Sequence, residues 1–177
     1  MNALMRRRAM MMEVGEPWKP IATTPMAFRI YGSGVSFDSA TGTLSFAAGS
    51  TSWANYVKLI NMPYKYSDLE GHEIRVAFDY IASSVTDDYK GFVFAPNEYS
   101  TNTGTSTRRA GISQTTTGLS TGTSTGGHME WSGILTTDIL TYNPSQHSAN
   151  NYWGAMLAFH GPSSASATIS IIVYEYL

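Results

Sequence analysis

Four clusters in the chain set an aromatic ring beside a side chain able to hydrogen-bond. They are Trp53 with Asn55 and Tyr56, Tyr89 after Asp87 and Asp88, Trp131 with Glu130, and Tyr152 with Asn150 and Asn151. A flat ring offers its face to the apolar face of a pyranose, while neighbouring amides, hydroxyls and carboxylates bond the sugar hydroxyls. The expected ligand-facing residues are therefore Trp53, Asn55, Tyr56, Tyr89, Glu130, Trp131, Asn150 and Tyr152. The competing role for any such ring is packing. Trp153 belongs there, because Leu157 and Phe159 share its parity, and so do Phe78, Tyr80, Phe92 and Phe94.

Other chemistries find less support. Glycoside hydrolysis needs two carboxylates about 5 to 10 Å apart, one with a raised pKa. Glu73, Asp79, Glu98, Glu130 and Asp138 supply carboxylates, but no spacing among them singles out a pair, so no enzyme is expected. The four histidines, His72, His128, His147 and His160, are scattered, and His128-Met-Glu130 is too short a pattern for a metal site. The chain has no cysteine, which removes disulfides, thiolate catalysis and Cys-based zinc sites.

Charged residues make up 14% of the chain, against about 25% in ordinary soluble proteins. Ser, Thr, Asn, Gly and Tyr take their place, which implies a polar but uncharged surface suited to sugars. The net charge of −2 lacks the basic footprint that nucleic acid requires. Arg108-Arg109 is an internal basic pair that suits an acidic sugar or a solvated loop. No apolar run is long enough to cross a membrane, so membrane insertion is not expected. The apolar stretch after Arg8 ends at Glu13, too short for a signal-peptide core. An extracellular or virion-associated location is then expected without a visible signal peptide.

The elements that must position these residues read as strands. Residues 27–31, 35–39, 43–47, 53–61, 72–83, 89–95, 128–133, 134–142, 152–160 and 167–177 alternate or are rich in β-branched and aromatic residues, with Gly-rich turns between them. Residues 35–47 read as a hairpin turning at Ala40-Thr-Gly42. On the last strand, Ile169, Ile171 and Val173 share one parity, and Ile172, Tyr174 and Tyr176 the other. Residues 66–71 read as one helical turn ended by Gly71. The Thr-, Ser- and Gly-rich stretch 96–127 reads as extended loops with a strand inside it near 108–114. Residues 1–14 favour a short helix or a basic tail, stopped by Gly15, Pro17 and Pro20, with Trp18 placed to anchor the connector. The expected division is residues 1–26 as tail and connector and residues 27–177 as one β-domain. The expected fold is all-β, a jelly-roll β-sandwich of two antiparallel sheets, with an up-and-down barrel as the rival.

In its order of elements the chain resembles jelly-roll carbohydrate-binding modules. The likeness rests on the strand led by Trp53-Ala-Asn-Tyr-Val57, the run Asp68-Leu-Glu-Gly-His-Glu-Ile-Arg-Val-Ala-Phe78, and the closing strand Ile169-Ser-Ile-Ile-Val-Tyr-Glu175. Separately, Leu4-Met-Arg-Arg-Arg-Ala-Met-Met-Met12 resembles the starts of phage or prophage minor structural proteins of gut bacteria. The first resemblance implies a non-catalytic module for carbohydrate or a bacterial surface glycan. It brings no cofactor, although it allows a structural calcium at Asp38 or at Asp87 and Asp88. The second implies a phage tail or receptor-binding component, with residues 1–14 docking it into a homo-oligomer or particle. The alternatives are a structural protein of a particle or fibre, and a small glycan-active enzyme.

Overall fold

The computed structural model describes residues 17–21, 26–47, 55–83, 91–122, 125–160 and 166–177. The described strands are, in chain order, β1 (Lys19–Pro20), β2 (Phe28–Tyr31), β3 (Val35–Asp38), β4 (Thr43–Ala47), β5 (Tyr56–Leu59), β6 (Glu73–Ala82), β7 (Gly91–Tyr99), β8 (Arg108–Gly111), β9 (Gly126–Ile134), β10 (Tyr152–His160) and β11 (Ser166–Tyr176). Two four-residue helices, α1 (Tyr66–Leu69) and α2 (Gln114–Thr117), lie in the connections.

Sheet I has the order β3-β4-β11-β6-β9 with β1 added on β11, and sheet II has the order β2-β5-β10-β7-β8. Every pairing is antiparallel. From β4 onward the chain crosses repeatedly between the sheets, the connectivity of a jelly-roll sandwich, as the sequence led one to expect.

Alternation builds the core. Ile74, Val76, Phe78 and Tyr80 of β6 face Phe92, Phe94, Trp153, Leu157 and Phe159 of sheet II, all buried. Phe78 and Phe94 stack with ring centroids 5.9 Å apart, and Tyr174 meets Phe94 edge-on at 5.5 Å. The Tyr174 hydroxyl donates to the Gly154 carbonyl at 2.9 Å, tying β11 to β10 across the core.

The hairpin β3–β4 closes on Asp38, whose carboxylate accepts from the Ala40 N–H at 2.9 Å and the Thr41 hydroxyl at 2.8 Å. Those two bonds, the Thr41 hydroxyl foremost, hold the Asp38 carboxyl below its usual range. Among the described residues no group of three or more His, Asp or Glu side chains converges as a metal site. The second calcium candidate, Asp87 and Asp88, lies outside the described residues, as do residues 1–14 and the segment Leu4–Met12 of the phage resemblance.

Four local expectations are revised. Residues 134–142 are not a strand: β9 ends at Ile134 and residues Thr137–Ile139 form a 3-10 turn. Leu135 and Leu140 are both buried despite opposite parity, which an alternating strand cannot achieve. The last strand does not keep one parity, because a β-bulge between Ile171 and Val173 shifts the register, so Ile169 and Tyr174 both reach the core. β7 runs through Pro96 to Tyr99, past the expected end at residue 95; its register against β8 slips between Asn97 and Tyr99, beside the proline that has no N–H to give. Finally, β-structure begins inside the expected connector. Lys19 and Pro20 pair with Tyr176 and Glu175, Ile21 is buried, and the Arg75 guanidinium sits 4.4 Å from the centre of the Trp18 ring.

Candidate functional site

On β5, Val57 and Leu59 point into the core, so Tyr56 and Lys58 take the outer face of sheet II. The register Arg29↔Lys58 and Tyr31↔Tyr56 brings two residues of β2 to that face. Tyr31 and Tyr56 stack as cross-strand neighbours, centroids 4.5 Å apart and planes within 8°. The Lys58 ammonium lies 5.0 Å from the Tyr31 ring, 5.9 Å from Tyr56 and 5.5 Å from Tyr99. The Arg29 guanidinium lies 5.8 Å from Tyr31. Farther along, Arg108 of β8 sits 3.4 Å from the centre of the Tyr142 ring.

The loop between β7 and β8 packs against this group. Tyr31 donates its hydroxyl to the Gly104 carbonyl at 2.5 Å, Lys58 donates to the Ser106 carbonyl at 2.8 Å, and the Asn61 N–H reaches the Asn102 carbonyl at 2.7 Å. Gly104 has φ +70°, and a Cβ there would stand 2.8 Å from Ile60 Cγ2, so both backbone and space require glycine. The hydroxyls of Thr101, Thr103, Thr105 and Ser106 bond one another at 2.8 to 3.4 Å along the exposed rim. The result is a half-buried pair of rings beside a shelf of hydroxyl groups. Burial, reinforced by Arg29 and Arg108, holds the Lys58 ammonium below the usual lysine range, and burial also raises Tyr56.

Of the eight residues singled out in the sequence, Tyr56 is in this group, with Asn55 just before it. Asn55 is buried, and its carbonyl accepts from the Phe159 N–H at 3.3 Å. Trp53 and Tyr89 lie outside the described residues. Glu130 and Trp131, adjacent on β9, point to opposite faces. Glu130 stands on the outer face of sheet I near His128, while Trp131 packs partly buried against the core and over Gly133. Asn150 is exposed in the turn before β10, and Tyr152 packs against the core margin. Arg29, Tyr31 and Lys58 were not among the eight. The shared parity of Tyr56 with Lys58 was visible in the sequence; the pairing with β2 that adds Arg29 and Tyr31 was not.

Of the five carboxylates named in the sequence, Asp79 and Glu130 flank one histidine, and Glu98 stands apart from them in the other sheet. Glu98 is fully buried and accepts from His147 Nδ1 at 2.5 Å, the Ser148 N–H at 3.0 Å and Asn151 Nδ2 at 2.8 Å, which fixes the turn that presents Asn150. Asp79 bonds His128 Nδ1 at 2.6 Å, and Glu130 lies 3.6 Å from His128 Nε2. Both side chains are exposed on the outer face of sheet I. A cleft of about 490 Å³ opens at one end of sheet I, lined by the hydroxyl-bearing Ser33, Ser36, Ser45, Ser83, Ser166 and Thr168 beside exposed Ile81. Among the described residues that line it, the aromatic ring is Phe46, which is buried.

No protein-family model and no curated protein matches the chain. A solved structure described as "CBM4 structure and function" resembles it at 15% identity, with 85% of this chain and 93% of that chain covered and a TM-score of 0.48. The likeness is one of chain trace, and no ligand is drawn from it.

Proposed function

We propose that this protein is a non-catalytic glycan-binding module and that it binds through the outer face of sheet II. The observation that supports this reading is the Tyr31–Tyr56 stack set beside the hydroxyl loop 100–106. Rings of this kind take the apolar face of a sugar, and the Thr and Ser hydroxyls serve as both donors and acceptors for its ring oxygens. A shallow face of this type binds weakly per site, and strength comes from repeated copies or from polymeric ligand. Such a module works where glycans are displayed, outside cells or on virions.

The test is binding of the whole protein to a panel of polysaccharides and bacterial cell-wall preparations, with Tyr31→Ala and Tyr56→Ala compared. Loss of one stacking ring lowers affinity about 5- to 10-fold, equivalent to about 1 to 1.4 kcal/mol. Circular dichroism confirms that each variant keeps its fold. A panel without saturable binding by the folded protein refutes the reading.

A further inference from the structure

The outer face of sheet II is basic although the chain as a whole carries a net charge of −2. Arg29 and Lys58 are cross-strand neighbours, and Arg108 lies in register with Tyr99, whose ring also faces the Lys58 ammonium. Arg29 and Arg108 thus stand on opposite edge strands of sheet II, each within electrostatic range of the buried Lys58 between them. The charged groups acting on Lys58 are Arg29 and Arg108, and both push its ammonium toward the neutral form. Charges this close repel one another, and an anion placed among them relieves that repulsion. Lys58 is nearly buried and committed to the Ser106 carbonyl, so it supplies field rather than direct contact. Arg29 is exposed, and a guanidinium above a ring still offers the planar fork of donors that matches an oxyanion.

Building on the proposed glycan-binding role of this face, we infer that its ligand is an acidic polysaccharide, with a carboxylate or sulfate group held by the exposed Arg29 beside the Tyr31–Tyr56 pair, while Lys58 and Arg108 add positive field. The aromatic pair supplies the apolar contact, and the cations select the charged sugar over its neutral counterpart. Carboxylate and sulfate present the same oxyanion edge, so the two sources are separated by experiment.

The experiment measures binding of the full chain to polygalacturonate, its methyl ester, a sulfated galactan without carboxylates, neutral polysaccharides and polyglutamate. The expected result is at least about tenfold tighter binding to an anionic glycan than to its neutral counterpart, corresponding to about 1.4 kcal/mol. That affinity falls between about 0.01 and 0.1 M salt, as the screening length shrinks from about 30 Å to about 10 Å. Arg29→Gln weakens binding to the anionic glycan several-fold and Arg29→Lys restores part of the loss, while Arg108→Gln, which removes only field, has a smaller effect that vanishes at high salt. Preference for polygalacturonate or for the sulfated galactan identifies the anion. Equal binding to polygalacturonate and its methyl ester together with no preference for the sulfated galactan over neutral polysaccharides, or binding to neutral polysaccharides alone, overturns the inference and leaves glycan binding standing. Polyglutamate binding as tightly as the glycans also overturns it, since charge without sugar then suffices. No binding to any polysaccharide overturns the glycan reading beneath it.

Discussion

Tyr66 shows what a single hydroxyl can do in this core. Its ring packs edge-on against Trp153 and His147, and its buried hydroxyl finds no hydrogen-bond partner among the described residues. Burial first, and then Glu70, Glu98 and Asp138, push its pKa up to about 12. An unfolded tyrosine ionises near pH 10. Between about pH 10 and 12 the unfolded chain therefore releases a proton that the folded chain keeps, and stability falls as pH rises through that window; below it the contribution is whole. Tyr66→Phe removes an unsatisfied polar atom, so it should raise stability at pH 7 by up to about 1 kcal/mol and flatten the alkaline decline. Thermal midpoints measured from pH 9 to 12 check both. Tyr176, raised to about 12 by its bond with Tyr64 and by burial, acts with the same sign, so the decline is reduced rather than abolished. The candidate site was only partly legible at this scale. Residue type and parity pointed to Tyr56, but Tyr31 and Arg29 reach it only through a cross-strand register. Glu130 and Trp131 look like one motif in sequence, yet successive residues of a strand face opposite ways.

Among the elements, β8 packs tightly against backbone on both sides. Gly111 pairs with Asn97 and exchanges two backbone bonds with Tyr142 at 2.9 and 3.0 Å, and a Cβ there would lie 2.5 Å from the Pro96 carbonyl oxygen. Gly111→Ala should therefore cost about 1 to 3 kcal/mol and, by displacing Arg108 from Tyr142, weaken glycan binding; chemical denaturation and the binding panel read the two effects. On β6 and β11, Arg75 and Glu175 form a buried ion pair beside Trp18. Arg75→Met alone leaves a buried carboxylate and should cost about 3 to 5 kcal/mol, while adding Glu175→Leu should recover most of it, as a double-mutant cycle would show. Strands with steady alternation, β6 and β10 above all, were plain in the sequence because their large apolar side chains recur at every second position on the core side. Where that alternation breaks it misled: the bulge in β11 and the buried Leu135 and Leu140 answer to neighbouring chain segments that local periodicity does not contain.

At the scale of the molecule, the layered all-β architecture was readable because so many short strands alternate and no long helical period interrupts them. The uneven distribution of charge was hidden, since composition averages a basic face of sheet II with the acidic remainder. Sheet I also has an unusual centre. β11 lies between β6 on one side and β4 with β1 on the other, so strands from both early and middle parts of the chain meet only through it. A nascent chain synthesised as far as residue 160 has made β1, β4 and β6, yet the strand that joins them does not exist. Its half-built sheet has open edges and an exposed apolar face. Sheet I therefore closes only once the segment after residue 160 is available, and until then its unpaired edges are open to pairing with other chains.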